Sequence, residues 1–328
     1  MDLIRNFKER AKKNPRRVVF PESRDKRILM AVEELAKEKI LIPILVGEKE
    51  KIYRSSKDLK IDLSNVEIQD PKKSENLERY ALSYMKKREV EKGIAEQLVK
   101  KNLLFGAMMV KESDADGIVA GAANPTAIIL QVTRTTIGLA PGISILSSFF
   151  IMVIPEFLGE KEKILIYADA AVNIEPDAQQ LADIAVSSGR SAKQLLGIEP
   201  KIALLSFSTK GSAEHPVVDK VIQATQLAKE KDSSLFIDGE FQGDTALVPD
   251  VAQKKLKELG EVAGRADVLI FPDLNSGNIC YKLTQYLAKA KAYGPILQGA
   301  AKPISDLSRG ASKDDIVDIA SIVAVEAI

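Results

Sequence analysis

At 328 residues and 45% apolar content the chain can bury a large core and is expected to divide into two lobes. Its 47 basic and 46 acidic residues nearly cancel, so no general attraction to nucleic acid or a membrane is implied and any anion must be held by local geometry. The only cysteine, Cys280, excludes an intrachain disulfide or thiolate metal cluster, and the only histidine, His215, excludes two-histidine metal sites. No metal is therefore expected, and proton transfer falls to Asp, Glu or Lys.

The opening segment, Met1–Arg5, lacks a hydrophobic signal core. No apolar run of about 18 residues is free of charges and turn signals. A cytoplasmic location without a membrane partner is expected. Strand-like runs then alternate with amphipathic stretches. Arg17–Pro21 precedes a helix near Asp25–Lys39, and Leu41–Val46 precedes a polar helical segment. Val66–Ile68 precedes a charged helix at Ser74–Lys87, and Gly117–Ala120 leads to a helix starting near Pro125. Such alternation predicts a parallel sheet flanked by helices. From about residue 142 the texture changes. Ile143–Ile154 and Lys163–Ala168 read as a hairpin across a short Pro-Glu-Phe-Leu-Gly-Glu link. Apolar residues at Leu181, Ile184, Ala185, Ala192 and Leu195 place a helix over Asp177–Leu196. Strands at Ile202–Phe207, Leu235–Asp238, Val268–Phe271 and Pro295–Leu297 alternate with helices at Val217–Lys231, Val251–Leu259 and Ile279–Ala290. The terminal helix, Asp315–Ile328, is apolar enough to be buried and to return to the first lobe. The expected division is 1–142 plus 298–328 for one lobe and 143–297 for the other.

Neither G-x-x-x-x-G-K-[ST] nor a G-x-G-x-x-G between strand and helix occurs. Polar motifs instead close several strands. Gly121-Ala122-Ala123-Asn124-Pro125-Thr126-Ala127 has Pro placed for a first helical turn, where free N–H groups bind phosphate or simply make a βα turn. Ser206–Ser212 carries hydroxyls and Lys210 at a strand's C-terminal end, where ligands of open α/β sheets bind. A Ser/Thr-rich turn is the plain alternative. Asp238-Gly239-Glu240-Phe241-Gln242 closes a third strand, and Asn275-Ser276-Gly277-Asn278 a fourth, where it caps the following helix. Arg88 and Lys92 share a helix face, with either phosphates or neighbouring glutamates as partners. His215, in Ala-Glu-His-Pro, reads as a helix start. Gly294–Gly299 and Asp306-Leu307-Ser308-Arg309-Gly310, followed by Asp314-Asp315, place a hydroxyl, a guanidinium and two carboxylates before the last helix. Those groups suit anion binding, oxyanion donation and proton acceptance, and equally a capped βα turn.

Taken together, and over nearly the whole chain, these motifs resemble the phosphate acetyltransferases and the related phosphate butyryltransferases. The resemblance rests most on Leu205–Ala213, Tyr167–Asn173, Gly294–Gly299 and Asp306–Gly310. It implies two α/β lobes with mostly parallel sheets, akin to the isocitrate-dehydrogenase fold, with the active site in the interdomain cleft of a homodimer. It also implies reversible acetyl transfer between coenzyme A and phosphate, with coenzyme A as substrate and no tightly bound cofactor. By the same resemblance Asp315 takes the thiol proton, Ser308 donates to the tetrahedral oxyanion and Arg309 holds phosphate. Arg88, Asn124, Thr126, Arg134, Ser208, Lys210, Gln298 and Gly310 are the further candidates for binding phosphate or coenzyme A.

Three departures stand out. Gln131 occupies a place where the family commonly has Arg, with Arg134 almost one turn later. The family's R-x-x-K-G is one residue longer here, Arg88 to Gly93. Ala170 stands where many members have Cys. A butyryl-transferring relative, or a non-catalytic acyl-CoA-binding regulatory domain, is the alternative reading.

Overall fold

The computed structural model describes residues 3–328; Met1 and Asp2, part of the segment read for a signal core, lie outside them. In chain order the elements are α1 (Leu3–Lys13), β1 (Arg17–Phe20), α2 (Lys26–Lys37), β2 (Ile42–Val46), α3 (Lys49–Leu59), β3 (Glu67–Gln69), α4 (Leu77–Arg88), α5 (Lys92–Val99), α6 (Asn102–Lys111), β4 (Gly117–Ala120) and α7 (Thr126–Thr135). There follow β5 (Ser147–Phe157), β6 (Glu160–Ala168), α8 (Ala178–Leu196), β7 (Lys201–Leu205), α9 (Pro216–Lys231), β8 (Phe236–Phe241), α10 (Gly243–Leu247), α11 (Pro249–Lys255), β9 (Val268–Ile270), α12 (Leu274–Leu287) and β10 (Lys291–Gln298). The chain closes with β11 (Ile304–Asp306) and α13 (Lys313–Glu326). None of the described helices is long and apolar enough to cross a membrane.

Two compact units emerge: the chain up to Ala140 together with Ala300–Ile328, and Pro141–Gly299. In the first, strands run β3-β2-β1-β4-β11, all parallel. Parallel strands with helical crossovers are covered on both faces, which is why β1 and β4 read as continuous apolar runs. Helix α13 packs on α1, α2, β1 and β4. Its residues Ile316, Val317, Ile319, Ile322 and Val323 are all buried. Helix α6 is buried from Leu103 to Val110 without interruption. It has no polar face, so hydrophobic periodicity does not announce it.

The second unit orders its strands β10-β5-β6-β9-β7-β8. The first three are antiparallel neighbours and the rest parallel. The β5–β6 hairpin forms, but Pro155–Phe157 belong to the strand, and the turn is Leu158-Gly159 alone. Both turn residues have positive φ, +50° and +83°, as a type I′ hairpin turn requires. Asn275–Asn278 lies inside the first turns of α12 rather than ahead of it. The cap is Asp273, whose carboxylate accepts from the Ser276 N–H at 2.9 Å. His215 is the N-cap of α9, its Nδ1 accepting from the Val217 N–H at 3.3 Å.

Candidate active site

Three loops of the first unit meet at the C-terminal ends of β1, β4 and β11. The β1–α2 loop carries Glu22, Asp25 and, one residue into the helix, Arg27. The β4–α7 loop carries Gly121–Pro125. The β11–α13 loop carries Ser308–Ser312.

The N–H groups proposed from sequence as a phosphate cradle at Gly121–Ala127 already have an anion. Glu22, 7% exposed, accepts from the N–H of Ala122 at 2.7 Å, Ala123 at 2.9 Å and Asn124 at 2.8 Å, and from Asn124 Nδ2 at 2.7 Å. A carboxylate fills this cradle for the reason phosphate would: exposed N–H groups and the start of α7 favour negative charge. Asn124 therefore orders the loop, and Thr126 sits in the first turn of α7. The hydroxyl of Thr126 acts to lower the Asp306 pKa. Burial of Asp306 (3% exposed) dominates, and with the charge of Glu22 it pushes the carboxyl up to about 6. Gly121 makes room for it: at φ +112°, a Cβ there would lie 2.2 Å from Asp306 Oδ1.

Ser308, Arg309 and Gly310 are exposed at the end of β11. The loop closes on itself through Ala311 N–H to Ser308 O at 2.9 Å and Gly310 N–H to Ser308 Oγ at 3.2 Å. Among the described residues the Arg309 guanidinium has no hydrogen-bond or ion-pair partner. Asp315 does have the helix-cap role that spacing allowed. Ser312 is the N-cap of α13, its Oγ accepting from Asp315 N–H at 3.1 Å, while Asp315 Oδ2 accepts from Ser312 N–H and Oγ, both at 2.8 Å. Both bonds fall on Oδ2, which leaves Oδ1 open to accept a proton.

Beside these loops lies a cavity of about 710 Å³, lined by Glu22, Arg88, Lys101, Asn124 and Gln131 with apolar residues such as Ile128. Helix α7 presents Ile128, Gln131, Val132 and Thr135 to it, the i, i+3, i+4, i+7 face. Gln131 is thus on the lining face. Arg134 is exposed and off that face, so this geometry does not put it in place of the missing arginine. Arg88, despite the longer spacing to Gly93, does line the cavity. Ser308, Arg309 and Asp315 are not among its lining residues.

In the second unit the candidates make hydrogen bonds within the protein. Ser208 is fully buried, donating to Glu240 at 2.9 Å and accepting from Ala213 N–H at 3.2 Å. Lys210 is held by Asp238 Oδ1 at 2.8 Å and Gly239 O at 2.6 Å. Burial opposes the charge of Asp238, but hydrogen bonds from Lys210 and Lys229 outweigh it and hold the carboxyl below its usual value. Gln298, 5% exposed, donates to Ser147 Oγ at 3.0 Å and Ser188 Oγ at 2.8 Å. Ser208 and Lys210, read from sequence as substrate ligands, thus bond within this unit, as does Nε2 of Gln298, while Gln298 Oε1 is buried without a hydrogen-bond partner.

The sequence reading gives no site role to Glu22, Asp25 or Arg27, and takes Asp306 only as part of the Asp306–Gly310 motif. The signal was present: Pro21-Glu22-Ser23-Arg24-Asp25 is one more polar cluster closing a strand.

The chain matches the family model described as "Phosphate acetyl/butaryl transferase" over residues 2–324. It is 48% identical over 332 residues to the phosphate acetyltransferase of Thermoanaerobacterium thermosaccharolyticum, covering 100% of each chain. It is 47% identical over 331 residues to that of Acetivibrio thermocellus, covering 100% of this chain and 98% of the relative. Among solved structures it resembles the EutD phosphotransacetylase from Staphylococcus aureus, with a TM-score of 0.92, 38% identity, and coverage of 100% and 98%.

Proposed function

The chain belongs to the phosphate acetyl/butyryl transferase family, and from that membership we propose how its residues divide the reaction. It is an acyltransferase that moves an acetyl group reversibly between coenzyme A and phosphate. In the direction of acetyl-CoA synthesis, Asp315 Oδ1 takes the thiol proton and the thiolate sulfur attacks the carbonyl carbon of acetyl phosphate. Ser308 Oγ donates to the oxyanion that develops. Collapse of the intermediate breaks the carbon–oxygen bond, and phosphate departs against Arg309, recovering the proton. The observation that carries this assignment is the β11–α13 loop itself: its main chain is fixed while Ser308 Oγ and the Arg309 guanidinium face outward.

Magnitudes rank the roles. A thiol of pKa about 8.5 is about 3% ionised at pH 7, so complete ionisation gains only about 30-fold. One oxyanion donor is worth about 10²–10³-fold, and alignment of two bound reactants more. Arg88, at the cavity, serves the phosphates of coenzyme A in this reading, with no tightly bound cofactor required. The two units are the lobes of an isocitrate-dehydrogenase-like fold in this reading. A homodimer is supported by α12, where Ile279, Leu283, Tyr286 and Leu287 are 56%, 53%, 78% and 79% exposed along one face. The location is cytoplasmic.

Phosphate-dependent release of coenzyme A from acetyl-CoA, repeated with propionyl- and butyryl-CoA, tests the reading. Acetyl-CoA is expected to be the fastest. Faster butyryl transfer would move the assignment to the butyryl branch, and no phosphate dependence with any acyl group would leave only a binding role.

A further inference from the structure

We propose that Arg27 is a positioning residue for this reaction: it locks the main chain that presents Ser308 and Arg309, and it binds neither substrate. The inference rests on the reading of the β11–α13 loop as the reacting loop.

A guanidinium carries five N–H donors in a planar fork. In Arg27 all five have protein acceptors. Nε donates to Asp25 Oδ1 at 3.0 Å, and Nη2 donates to Asp25 Oδ2 at 2.6 Å and to Ala122 O at 3.1 Å. Nη1 donates to Arg309 O and Ala311 O, both at 2.8 Å. No N–H remains for a phosphate oxygen, and the positive charge is already met by the bidentate Asp25 carboxylate. That separates Arg27 from Arg309, whose guanidinium is free.

The anchor is firm on the other side. Asp25 is the N-cap of α2 and accepts the Arg27 N–H at 2.8 Å. The hydrogen bond from the Arg27 side chain is the main cause holding the Asp25 carboxyl below its ordinary value. Helix α2 in turn buries Ile28, Leu29, Val32 and Leu35. A helix fixed by the core thus extends one planar group that grips the β4–α7 loop at Ala122 and the β11–α13 loop on both sides of Gly310. Glycine has the least intrinsic stiffness of any residue, so the two carbonyl bonds flank the place where this loop most needs holding. Ala122 N–H is meanwhile bound by Glu22, which lines the cavity. One bonded path therefore runs from the cavity wall through Glu22, Ala122 and Arg27 to the Arg309 backbone. A lysine cannot reproduce it, because a single ammonium does not span one carboxylate and three carbonyls.

The test is steady-state kinetics of Arg27→Ala and Arg27→Lys beside Arg309→Ala, with guanidinium added as a rescue agent. Loss of alignment predicts a fall of about 10- to 100-fold in kcat for both Arg27 variants, with KM for phosphate and acetyl-CoA within about threefold. Added guanidinium is expected to recover part of the rate of Arg27→Ala and none for Arg27→Lys, whose side chain fills the space. Wild-type kcat in either soluble variant, or a raised phosphate KM at unchanged kcat, overturns the inference. Should Arg27→Ala fail to fold, Arg27→Lys decides by the same kcat and KM criteria. A wild-type rate in Arg309→Ala instead overturns the reading of the loop, and this inference with it; a rate lost in Arg309→Ala but kept in the Arg27 variants overturns the inference alone.

Discussion

Two loops of this molecule look alike in sequence and differ in what their side chains do. Ser308-Arg309-Gly310 and Ser208-Thr209-Lys210-Gly211 each pair a hydroxyl with a cation before a glycine, after a parallel strand. In the second, Ser208 is fully buried on Glu240, and Lys210 is tied to Asp238 and a carbonyl. In the first, the main chain is held by Arg27 and by Ser308 Oγ accepting from Gly310 N–H, while the Ser308 and Arg309 side chains remain exposed. On the proposed reading, a polar motif becomes chemical equipment when other groups hold the backbone and the functional atoms stay exposed. Where the functional atoms are themselves the restraint, the same residue types build a turn.

That contrast can be broken by substitution. Ser308→Ala is expected to lower kcat by about 10²–10³-fold with little change in unfolding free energy, read by coenzyme A release and urea denaturation. A loss of stability without loss of rate would put Ser308 in the same class as Ser208.

Next in size is an opposition between two carboxylates. Asp306, raised by burial to about 6, binds protons more tightly folded than unfolded. Its contribution is fully present below about pH 4 and is lost as pH rises through about 6, a swing of ~3 kcal/mol. Asp238 is depressed by its lysines, so its contribution is present at neutral pH and lost as pH falls through its folded pKa. Asp306→Asn is therefore expected to flatten the fall in unfolding free energy between about pH 4 and 6. An unchanged slope would mean the buried carboxyl does not hold its proton.

Asp315→Asn keeps an acceptor for the α13 cap and removes the proposed base. It is expected to lower the rate by about 30-fold near pH 7, and by much less near pH 9, where the thiol ionises unaided. A deficit at pH 9 as large as that of Ser308→Ala would reverse the ranking of proton transfer below oxyanion stabilisation. The smallest effect belongs to the second loop. Ser208→Ala leaves Glu240 short of a donor and is expected to destabilise by about 1–3 kcal/mol while kcat stays within about threefold.

Much of the architecture is legible in the chain. Alternation of runs such as Val18–Phe20 with amphipathic helices gives the α/β class, and the capped, periodic helix at Ala178–Leu196 falls within one residue of its expected start. Helix α6 is not legible because it is buried all round, and β11 is only three residues long. The motif order gives the family, and it points to the β11–α13 loop as the candidate site. What spacing does not carry is occupancy. Nothing in Gly121–Ala127 says that its N–H groups already hold Glu22, a hundred residues upstream. Nothing in Ser206–Ser212 says that Lys210 is bound to Asp238. Arg27 is hidden for the same reason, since its acceptors at Ala122, Arg309 and Ala311 are main-chain atoms, which sequence does not distinguish.

The most direct measurement sets one loop against the other: kcat for phosphate-dependent coenzyme A release by Arg309→Ala and by Lys210→Ala, each checked for an intact fold. The account predicts a loss of about 10²-fold or more for Arg309→Ala and a rate within about threefold of wild type for Lys210→Ala. Equal losses, or a larger loss at Lys210, would contradict it.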